Sequence, residues 1–239
     1  MNLIITGGTR GLGLEIATQQ LIAGHTIVIM SRFMSTGLQS LMSEYSNRLF
    51  FVPTDLTEPQ LIKEKFDSPP LGDMVVHGLV NNAASAYDDL VSNIDLSALD
   101  AMFRINVYSP MILTKLVIRK MLLHRIKGSV VHISSISAHA GYKGLAMYAA
   151  SKGAIESFSK NVAREWGTLG IRSNCVVPGF METEMTESLS SEQKERIFRR
   201  TCLNTATSTS SVASMVGYLL SDLSSSVTGQ EFVVDSGTI

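Results

Sequence analysis

The sequence predicts a doubly wound α/β fold with a parallel seven-stranded sheet flanked by helices. Short apolar segments alternate with helix-length segments along all 239 residues. Several of the short segments are apolar at successive positions, which is typical of parallel strands covered on both faces. Because β–α–β crossovers are right-handed, this alternation favours one sheet with helices on both sides.

The predicted elements follow one another without a Pro/Gly-rich linker or an internal repeat. We predict strands at residues 3–7, 26–31, 49–55, 77–83, 129–135, 173–179 and 231–235. The main helices are predicted at residues 12–23, 97–125, 147–167 and 209–221. We therefore expect a single domain over residues 1–239. Ligands of such sheets bind beyond the carboxyl ends of the strands, so candidate functional residues are sought there.

The composition restricts the class of protein. The chain has 45% hydrophobic and 17% charged residues, and its 20 basic residues nearly balance 21 acidic ones, so no overall charge favours binding to nucleic acid or an anionic membrane. No secretory leader follows Met1, and no apolar stretch reaches about 18 residues, so we expect a cytoplasmic protein without a membrane segment. Cys175 and Cys202 are distant and outside any C-x-x-C pair, so we expect neither a disulfide nor a metal site.

The first strand runs into T-G-G-T-R-G-L-G, residues 6–13, and then into an apolar helix. Gly7 permits a tight turn, Gly11 lets the backbone approach a pyrophosphate, and Gly13 lets helix and strand pack closely. The free N–H groups of the helix start attract the anion. This arrangement predicts a dinucleotide site. Its contacts are expected from Gly7, Thr9, Arg10, Gly11, Leu12 and Gly13.

The second strand ends in Ser31 and Arg32, where an NAD enzyme usually has an acidic residue for the ribose hydroxyl. No acidic residue occurs between Glu15 and Glu44. Arg32, with Arg10 in the glycine-rich loop, could bind a 2′-phosphate through charge-assisted hydrogen bonds. The sequence therefore favours NADPH/NADP⁺ over NADH, although either arginine could be an ordinary solvated charge.

The third and fourth strands also end in candidate cofactor contacts. Asp55, followed by Leu56, could accept a hydrogen bond from adenine, or it could equally cap the segment that begins at Thr57. After the fourth strand, Asn82 and Ala83 belong to N-N-A-A, whose small residues would let a cofactor lie against the backbone.

The segment M-Y-A-A-S-K-G, residues 147–153, places Tyr148 four residues before Lys152. Four residues make about one helical turn, so both side chains would lie on one face within reach of a shared ligand. Taken alone the pair is a weak motif, because most such neighbours are surface contacts.

Several motifs in one order resemble those of the short-chain dehydrogenase/reductase family. T-G-G-T-R-G-L-G matches its T-G-x-x-x-G-x-G, N-N-A-A its N-N-A-G, and Y-A-A-S-K its Y-x-x-x-K, with S-S standing 13 residues before the tyrosine. P-G-F-M-E-T-E-M-T, followed by L-S-S-E-Q-K, is similar to a segment of the 3-oxoacyl-acyl-carrier-protein reductases. The resemblance covers nearly the whole chain and implies a Rossmann-type fold.

The resemblance implies four catalytic residues. Tyr148 would be the general acid of carbonyl reduction, or the base of the reverse reaction. Lys152 would lower the tyrosine pKa from its usual value near 10 and reach the nicotinamide ribose. Ser135 would hold the carbonyl oxygen of the substrate, and Asn106 would position a water for proton relay.

The segment after the sixth strand is expected to border the nicotinamide. The resemblance implies that Pro178 and Gly179 turn the chain beneath it and that Thr183 hydrogen-bonds its carboxamide. A substrate lid is expected around residues 181–208. Met181, Met185 and Leu189 would make it flexible and apolar, although ordinary packing explains many methionines at helical spacing.

These expectations combine into an NADPH-dependent reductase of a ketone, foremost a 3-oxoacyl thioester on acyl carrier protein or CoA. The alternatives are a dehydrogenase of a small polyol, sugar or other hydroxylated metabolite, and a non-catalytic cofactor sensor. Basic residues that could contact a carrier protein, or could be solvated charges, are Arg125, Lys127, Arg196, Arg199 and Arg200. A homotetramer or dimer is expected, to which the segments 111–113 and 232–234 could contribute.

Overall fold

The computed structural model describes residues 1–186 and 189–239. Its seven strands form one sheet in the order β3-β2-β1-β4-β5-β6-β7. The strands are β1 (Asn2–Thr6), β2 (Thr26–Ser31), β3 (Leu49–Pro53), β4 (Gly78–Asn81), β5 (Ser129–Ile133), β6 (Arg172–Pro178) and β7 (Glu231–Val234). Every neighbouring pair is parallel, so the predicted parallel seven-stranded sheet is confirmed.

Eight α-helices lie in the described residues. They are α1 (Gly11–Ile22), α2 (Thr36–Glu44), α3 (Ile62–Asp67), α4 (Leu96–Phe103), α5 (Ser109–Leu123), α6 (Ala146–Trp166), α7 (Ser191–Phe198) and α8 (Thr209–Leu220). The predicted helices at 12–23, 147–167 and 209–221 correspond to α1, α6 and α8. Ser208 caps α8 by accepting from the Ser211 amide, as its position before the helix suggests.

The predicted helix at 97–125 is interrupted by a π-helical turn, Arg104–Tyr108, which joins α4 to α5. Pro110 lacks an N–H group and so cannot donate to the carbonyl of Asn106, four residues earlier, as a regular α-helix would require. The helix ends two residues earlier than predicted, and Arg125 then takes a left-handed conformation with φ of 54°.

Within the described residues, the helix Leu96–Leu123 is long and apolar enough to cross a membrane by length and composition alone. This corrects the expectation that no segment reaches that size. In the protein, 56% of the most apolar 18-residue stretch of this helix is buried, and Leu113, Val117 and Met121 lie in the core. Packing inside the fold accounts for the apolar character of this helix.

The sheet separates two apolar clusters. Leu3 and Ile5 of β1 pack on the side that contains residues of α1, α2 and α8. Ile4, between them, packs on the opposite side with residues of α3, α5 and α6. Because successive side chains of a strand point to opposite faces, a strand covered on both faces is apolar at successive positions, as β1 is at residues 3–5.

The strand order determines where a ligand can bind. β1 pairs with β2 on one side and with β4 on the other. Strands β2 and β3 therefore extend the sheet toward one edge, and strands β4 to β7 extend it toward the opposite edge. The loops that leave β1 and β4 therefore diverge, and a crevice opens at their carboxyl ends.

We predict that Ile4→Ala lowers the free energy of unfolding by about 2–5 kcal/mol, because Ile4 is fully buried between the sheet and its helices. Denaturant unfolding followed by circular dichroism measures this change. Leu223→Ala is the control, since Leu223 is 83% exposed and its truncation should change the free energy by less than about 0.5 kcal/mol. Equal losses in both variants would contradict the buried position of Ile4.

Candidate active site

A cavity of about 470 Å³ lies at the carboxyl ends of the strands, in the crevice between the halves of the sheet. It gathers most of the residues that sequence analysis proposed. They are Gly7, Thr9, Arg10, Gly11, Leu12, Gly13, Ser31, Arg32, Asp55, Leu56, Asn82, Ala83, Tyr148, Lys152 and Thr183. Asn106, Ser135, Pro178 and Gly179 are not among its described lining residues.

The glycine-rich loop has the backbone geometry that its sequence predicts. Gly7 has φ of 66°, and a Cβ atom there would lie 2.9 Å from the Cα of Ala83. Gly13 lies still closer to its neighbour, since a Cβ on it would lie 2.2 Å from the carbonyl oxygen of Gly7. Gly11 also has a positive φ, of 50°. Side chains at Gly7 and Gly13 would therefore force the loop away from β4 and α1.

Asn82 fastens the end of β4 to the end of β1. Its Nδ2 donates to the carbonyl oxygens of Thr6 at 3.0 Å and Gly7 at 3.2 Å. The hydroxyl of Thr6 accepts from the backbone amides of Asn82 and Ala83, both at 3.0 Å. These four hydrogen bonds fix the floor of the cavity and leave the small side chain of Ala83 facing it.

The start of α1 fits an anionic group. The helix begins at Gly11, and within the described residues the side chain of Arg10 makes no capping hydrogen bond. Gly11, Leu12 and Gly13 line the cavity, so the first-turn N–H groups are available to an anion there. This uncapped helix end, with the close-packed glycines, fits the pyrophosphate of a dinucleotide.

Both arginines expected at a 2′-phosphate have acidic neighbours. Arg10 forms an ion pair with Glu184, which follows β6 and also lines the cavity. Asp55 lies close enough to Arg32 for the guanidinium charge to act on its pKa. Burial tends to raise the pKa of Asp55, but hydrogen bonds from Thr57 and the charge of Arg32 outweigh it, so the pKa lies below its usual value.

Asp55 has both a local partner and a position at the cavity. Its Oδ1 accepts from the amide of Thr57 at 2.9 Å and from the Thr57 hydroxyl at 2.8 Å, which makes a local turn. The expected helix cap is wrong, because the helical segment begins at Pro59 and Glu58 is its N-cap. Asp55 lines the cavity as well, which keeps a contact with adenine open as a proposal.

Tyr148 and Lys152 lie one turn apart in α6, and both line the cavity. The Lys152 ammonium lies 5.5 Å from the centre of the Tyr148 ring and donates to the carbonyl oxygen of Ile133 at 2.8 Å. The lysine side chain is almost completely buried. It therefore links α6 to the carboxyl end of β5.

Burial moves the two pKa values in opposite directions. It raises the pKa of Tyr148 to about 12, against a smaller lowering by a hydrogen bond with Ser135, and it lowers the pKa of Lys152 to about 8. The expectation that Lys152 brings the tyrosine pKa below 10 is therefore wrong for this geometry. The ammonium points to a carbonyl oxygen, and loss of solvent dominates at the phenol.

Ser135 follows β5, and its side chain lies close enough to Tyr148 to lower the pKa of the tyrosine. Its Oγ also accepts from the amide of Ser137 at 3.2 Å, which leaves the hydroxyl proton available for donation. Ser134, the neighbouring residue, instead donates to Glu156 at 2.5 Å, as a satisfied hydroxyl at a strand end. The two serines thus have different partners.

Asn106 lies buried in the π-helical turn. Its Oδ1 accepts from the amide of Ser85, and its Nδ2 donates to the Ser85 carbonyl and to the hydroxyl of Ser151, at 2.9–3.0 Å. Ser151 in turn donates to the carbonyl of Tyr148 at 2.7 Å. Asn106 therefore links the loop after β4 to the turn of α6 that carries Tyr148 and Lys152.

The chain after β6 turns toward the glycine-rich loop. Gly179 packs against β7, where a Cβ would lie 2.6 Å from the Cα of Asp235. Thr183 reaches the loop, with its methyl carbon 3.7 Å from a Cβ built on Gly11. Met181 also lines the cavity. The side chain of Met185, another proposed lid residue, lies outside the described part of the structure.

Sequence reasoning missed several residues of the cavity. They are Phe33, Met34, Ser35, Thr54, Ile105, Ile133 and Glu184. Position directly after a strand could have identified Phe33 and Thr54. No local signal identifies Glu184, because its approach to Arg10 joins positions 174 residues apart.

His139, Glu156 and Glu231 bring three potential metal-donor atoms within 4.8 Å of one another, which the sequence did not suggest. These atoms already have protein partners. Glu156 accepts from Ser134 and lies 2.9 Å from the His139 ring, and Lys160 pairs with Glu231 at 2.6 Å. The three side chains therefore belong to a polar network that joins α6 to β7. Both cysteines are free, as predicted.

Two of the basic residues considered for carrier binding lie at the amino-terminal ends of the strands. Arg125 and Lys127 directly precede β5, whereas Ser135 follows it. Because a strand spans the sheet, they are at the amino ends of the strands, opposite the cavity of the same chain. A carrier protein that contacts Arg125 and Lys127 would therefore lie away from the cavity of the same chain, and this contact stays a prediction. Arg200 lies near Tyr142 and Asp235, beyond the carboxyl ends.

Comparison with known sequences agrees with this geometry. A family model described as enoyl-(acyl carrier protein) reductase matches residues 7–238. The chain is 30% identical to the 3-oxoacyl-[acyl-carrier-protein] reductase FabG of Chlamydia trachomatis serovar D, over 98% of this chain and 95% of that protein. It is also 30% identical to the L-xylulose reductase of Caenorhabditis elegans, over 98% and 94% of the two chains.

Solved structures give the same fold. The chain superposes on 4-hydroxyisoleucine dehydrogenase complexed with NADH with a TM-score of 0.93 and 26% identity, covering 99% of this chain and 98% of that one. For an NAD(P)-dependent protein of Beutenbergia cavernae assigned as a gluconate 5-dehydrogenase, with bound NADP, the TM-score is 0.91 at 25% identity, covering 99% and 96%. The chain is therefore an oxidoreductase of hydroxyl and keto groups and belongs to the short-chain dehydrogenase/reductase family.

Proposed function

We propose that the protein is an NADPH-dependent reductase that converts a ketone, foremost a 3-oxoacyl thioester, to the 3-hydroxyacyl product. The observation that carries the proposal is the position of Tyr148 and Lys152 in the same cavity as the glycine-rich loop of β1. Ser135, whose side chain acts on the pKa of Tyr148, supports the proposal because it would offer a second hydroxyl to a substrate carbonyl oxygen.

Tyr148 is suited to donate a proton. With its pKa raised to about 12 by burial, the phenol stays protonated at neutral pH. Its proton moves to the substrate carbonyl oxygen while Ser135 donates a hydrogen bond to the same oxygen as negative charge develops there. The hydride for the carbonyl carbon would be supplied by a nicotinamide cofactor when it is bound.

Lys152 is suited to stabilise the tyrosinate that remains. Its ammonium is near the Tyr148 ring and is held by the Ile133 carbonyl, so its charge requires little reorganisation during proton transfer. Asn106 supports the same helical turn through Ser151. We propose that Asn106 also positions a water through which the proton of Tyr148 is replaced.

The cofactor would lie along the cavity. Its pyrophosphate would bind the uncapped start of α1, and Arg32 with Arg10 would bind a 2′-phosphate. The adenine would contact Asp55 and Leu56, and the nicotinamide would lie near Thr183 with Pro178 and Gly179 behind it. Support for NADPH comes from Ser31 and Arg32 at the end of β2, where no acidic residue is available for a ribose hydroxyl.

A thioester substrate is supported by similarity to 3-oxoacyl-[acyl-carrier-protein] reductases and by the apolar Met181 at the cavity. We propose that residues 181–208 form a lid over the acyl chain. We propose that the carrier is an acidic acyl carrier protein. It would contact the arginines of α7 and of the residues directly after it, which are Arg196, Arg199 and Arg200.

A polyol or sugar is the second candidate substrate. The loop after β4 borders Tyr148, because the charge of Asp88 acts on the tyrosine pKa. This loop lies in a stretch without lysine or arginine from residue 66 to residue 103, and it contains Asp88, Asp89 and Asp95. An acidic border favours a neutral hydroxylated substrate over an anionic carrier, in agreement with the similarity to L-xylulose reductase.

We propose further that the protein is a cytoplasmic homotetramer or dimer. An apolar groove between α5 and α6 includes Met111, Ile118 and Trp166, and Val233 on the edge strand β7 is 43% exposed. Leu113, which sequence analysis assigned to this surface, is instead fully buried in the core and cannot contribute.

We predict that Tyr148→Phe lowers kcat for acetoacetyl-thioester reduction by at least about 100-fold, because general acid catalysis contributes roughly that factor. The dissociation constant of NADPH should change little. Initial rates of NADPH and NADH oxidation, with fluorescence titration of the cofactor, measure both. A variant as active as the wild type would contradict the assigned acid, whereas wild-type turnover of xylulose and none of the thioester would favour the second candidate.

We predict that kcat/KM for reduction falls above pH 8. Burial lowers the pKa of Lys152 to about 8, so the ammonium is present below this pH and is lost above it, while Tyr148 stays protonated up to about pH 12. Rates between pH 6 and 10 test this. Lys152→Arg should move the fall to higher pH, since arginine remains charged. A flat wild-type profile to pH 10 would argue against the role of Lys152.

We predict that Arg32→Asp raises the dissociation constant of NADPH by about 10- to 100-fold, the range for a lost charge-assisted hydrogen bond, and shifts preference toward NADH. Titration calorimetry with both cofactors measures the shift. Lys65→Asp is the matched control, because Lys65 is a half-exposed cation outside the described lining of the cavity. Unchanged preference in Arg32→Asp would reject the 2′-phosphate contact.

A further inference from the structure

Arg10 and Glu184 form an ion pair across the mouth of the cavity. Arg10 is the residue before α1, and Glu184 belongs to the turn Glu184–Thr186 after β6. Both side chains remain largely exposed, at 69% and 51%. The pair therefore joins the cofactor-binding loop to the segment over the cavity at a place that a ligand can reach.

The backbone around Glu184 is held by its own hydrogen bonds. The hydroxyl of Thr186 accepts from the amide of Thr183 at 3.1 Å, and the amide of Thr186 donates to the Thr183 carbonyl at 2.8 Å. The methyl group of Thr183 lies against Gly11. Glu184 is thus presented to the glycine-rich loop by a defined turn.

Near the glycine-rich loop and the end of β2, the cavity is lined by two arginines and two acidic residues. Arg32 has Asp55 near it, and the Asp55 carboxylate is already engaged by Thr57. Glu184 instead has its carboxylate directly on the guanidinium of Arg10. A 2′-phosphate that binds Arg10 must compete with this carboxylate and also approach its negative charge, whereas a 2′-hydroxyl meets neither obstacle.

We propose that Glu184 is a specificity-determining residue that weakens the binding of 2′-phosphorylated cofactors by occupying Arg10. The inference rests on the proposed use of Arg10 and Arg32 for a 2′-phosphate. The carboxylate of Glu184 comes from the segment after β6, so this determinant of cofactor selectivity lies outside the glycine-rich loop and the end of β2. Selectivity between NADPH and NADH is then set from both sides of the cavity.

The test is the affinity of Glu184→Gln for NADPH and NADH, measured by titration calorimetry on the full chain. The substitution keeps the shape of the side chain and removes its charge. The NADPH dissociation constant should fall about two- to fivefold, as expected from the strength of an exposed ion pair, and that of NADH should not change. The difference should shrink in 1 M salt, where exposed charges are screened.

Glu182→Gln is the matched control. Glu182 lies in the same segment, pairs with Lys194 of α7 at 3.3 Å, and is outside the described lining of the cavity. It should leave both affinities unchanged. Titrations with 2′,5′-ADP and 5′-AMP repeat the comparison without the nicotinamide, so that the effect is assigned to the 2′-phosphate and not to the nicotinamide end of the cavity.

A double-mutant cycle identifies the partner. In an Arg10→Gln background, Glu184→Gln should no longer improve NADPH binding, because the competed cation is absent. An equal gain for NADPH and NADH, or a gain that persists without Arg10, would overturn the inference. If Glu184→Gln is neutral while Arg32→Asp weakens NADPH, only this inference fails. If neither Arg10→Gln nor Arg32→Asp affects NADPH, the proposed cofactor preference itself fails.

Discussion

The hydrogen bonds between Asn82 and the end of β1 are the constraint on which the cavity depends. They join the two neighbouring strands from which the halves of the sheet diverge, and they use the backbone and side chain of Thr6 together. Gly7 can then close against Ala83, and Gly13 against Gly7, with no room for a Cβ at either glycine. The start of α1 is thereby fixed beside the crevice, with its N–H groups accessible.

Burial, more than local charge pairing, determines the protonation of the groups on α6. The same loss of solvent that keeps the Tyr148 phenol protonated makes the Lys152 ammonium easier to deprotonate. The carbonyl of Ile133 and the helix turn braced by Asn106 and Ser151 hold these side chains in place. A protonated phenol and a nearby cation thus arise from one buried helical turn, which supports the proposed role of this tyrosine as a proton donor.

The polar groups around this turn have different partners. Ser135 lies close enough to Tyr148 to act on its pKa, whereas Ser134 donates to Glu156 on the next turn of α6 and helps to hold β5 against the helix. At the cofactor end, each arginine has an acidic neighbour, so its charge is partly compensated before any phosphate arrives. The affinity of this end for an anion is accordingly a balance between opposed charges.

The sequence by itself determined the parallel sheet, the glycine-rich loop and the Tyr148–Lys152 pair, because apolar runs, glycine conformations and one-turn spacing are local properties. It predicted a continuous helix over 97–125 but not the π-helical turn that orients Asn106. Only the tertiary structure decided that the Lys152 ammonium binds the Ile133 carbonyl, that Tyr148 becomes less acidic, and that Arg125 and Lys127 lie away from the cavity. It also brought Glu184 to Arg10. These features depend on burial and on contacts between distant segments, which no local pattern encodes.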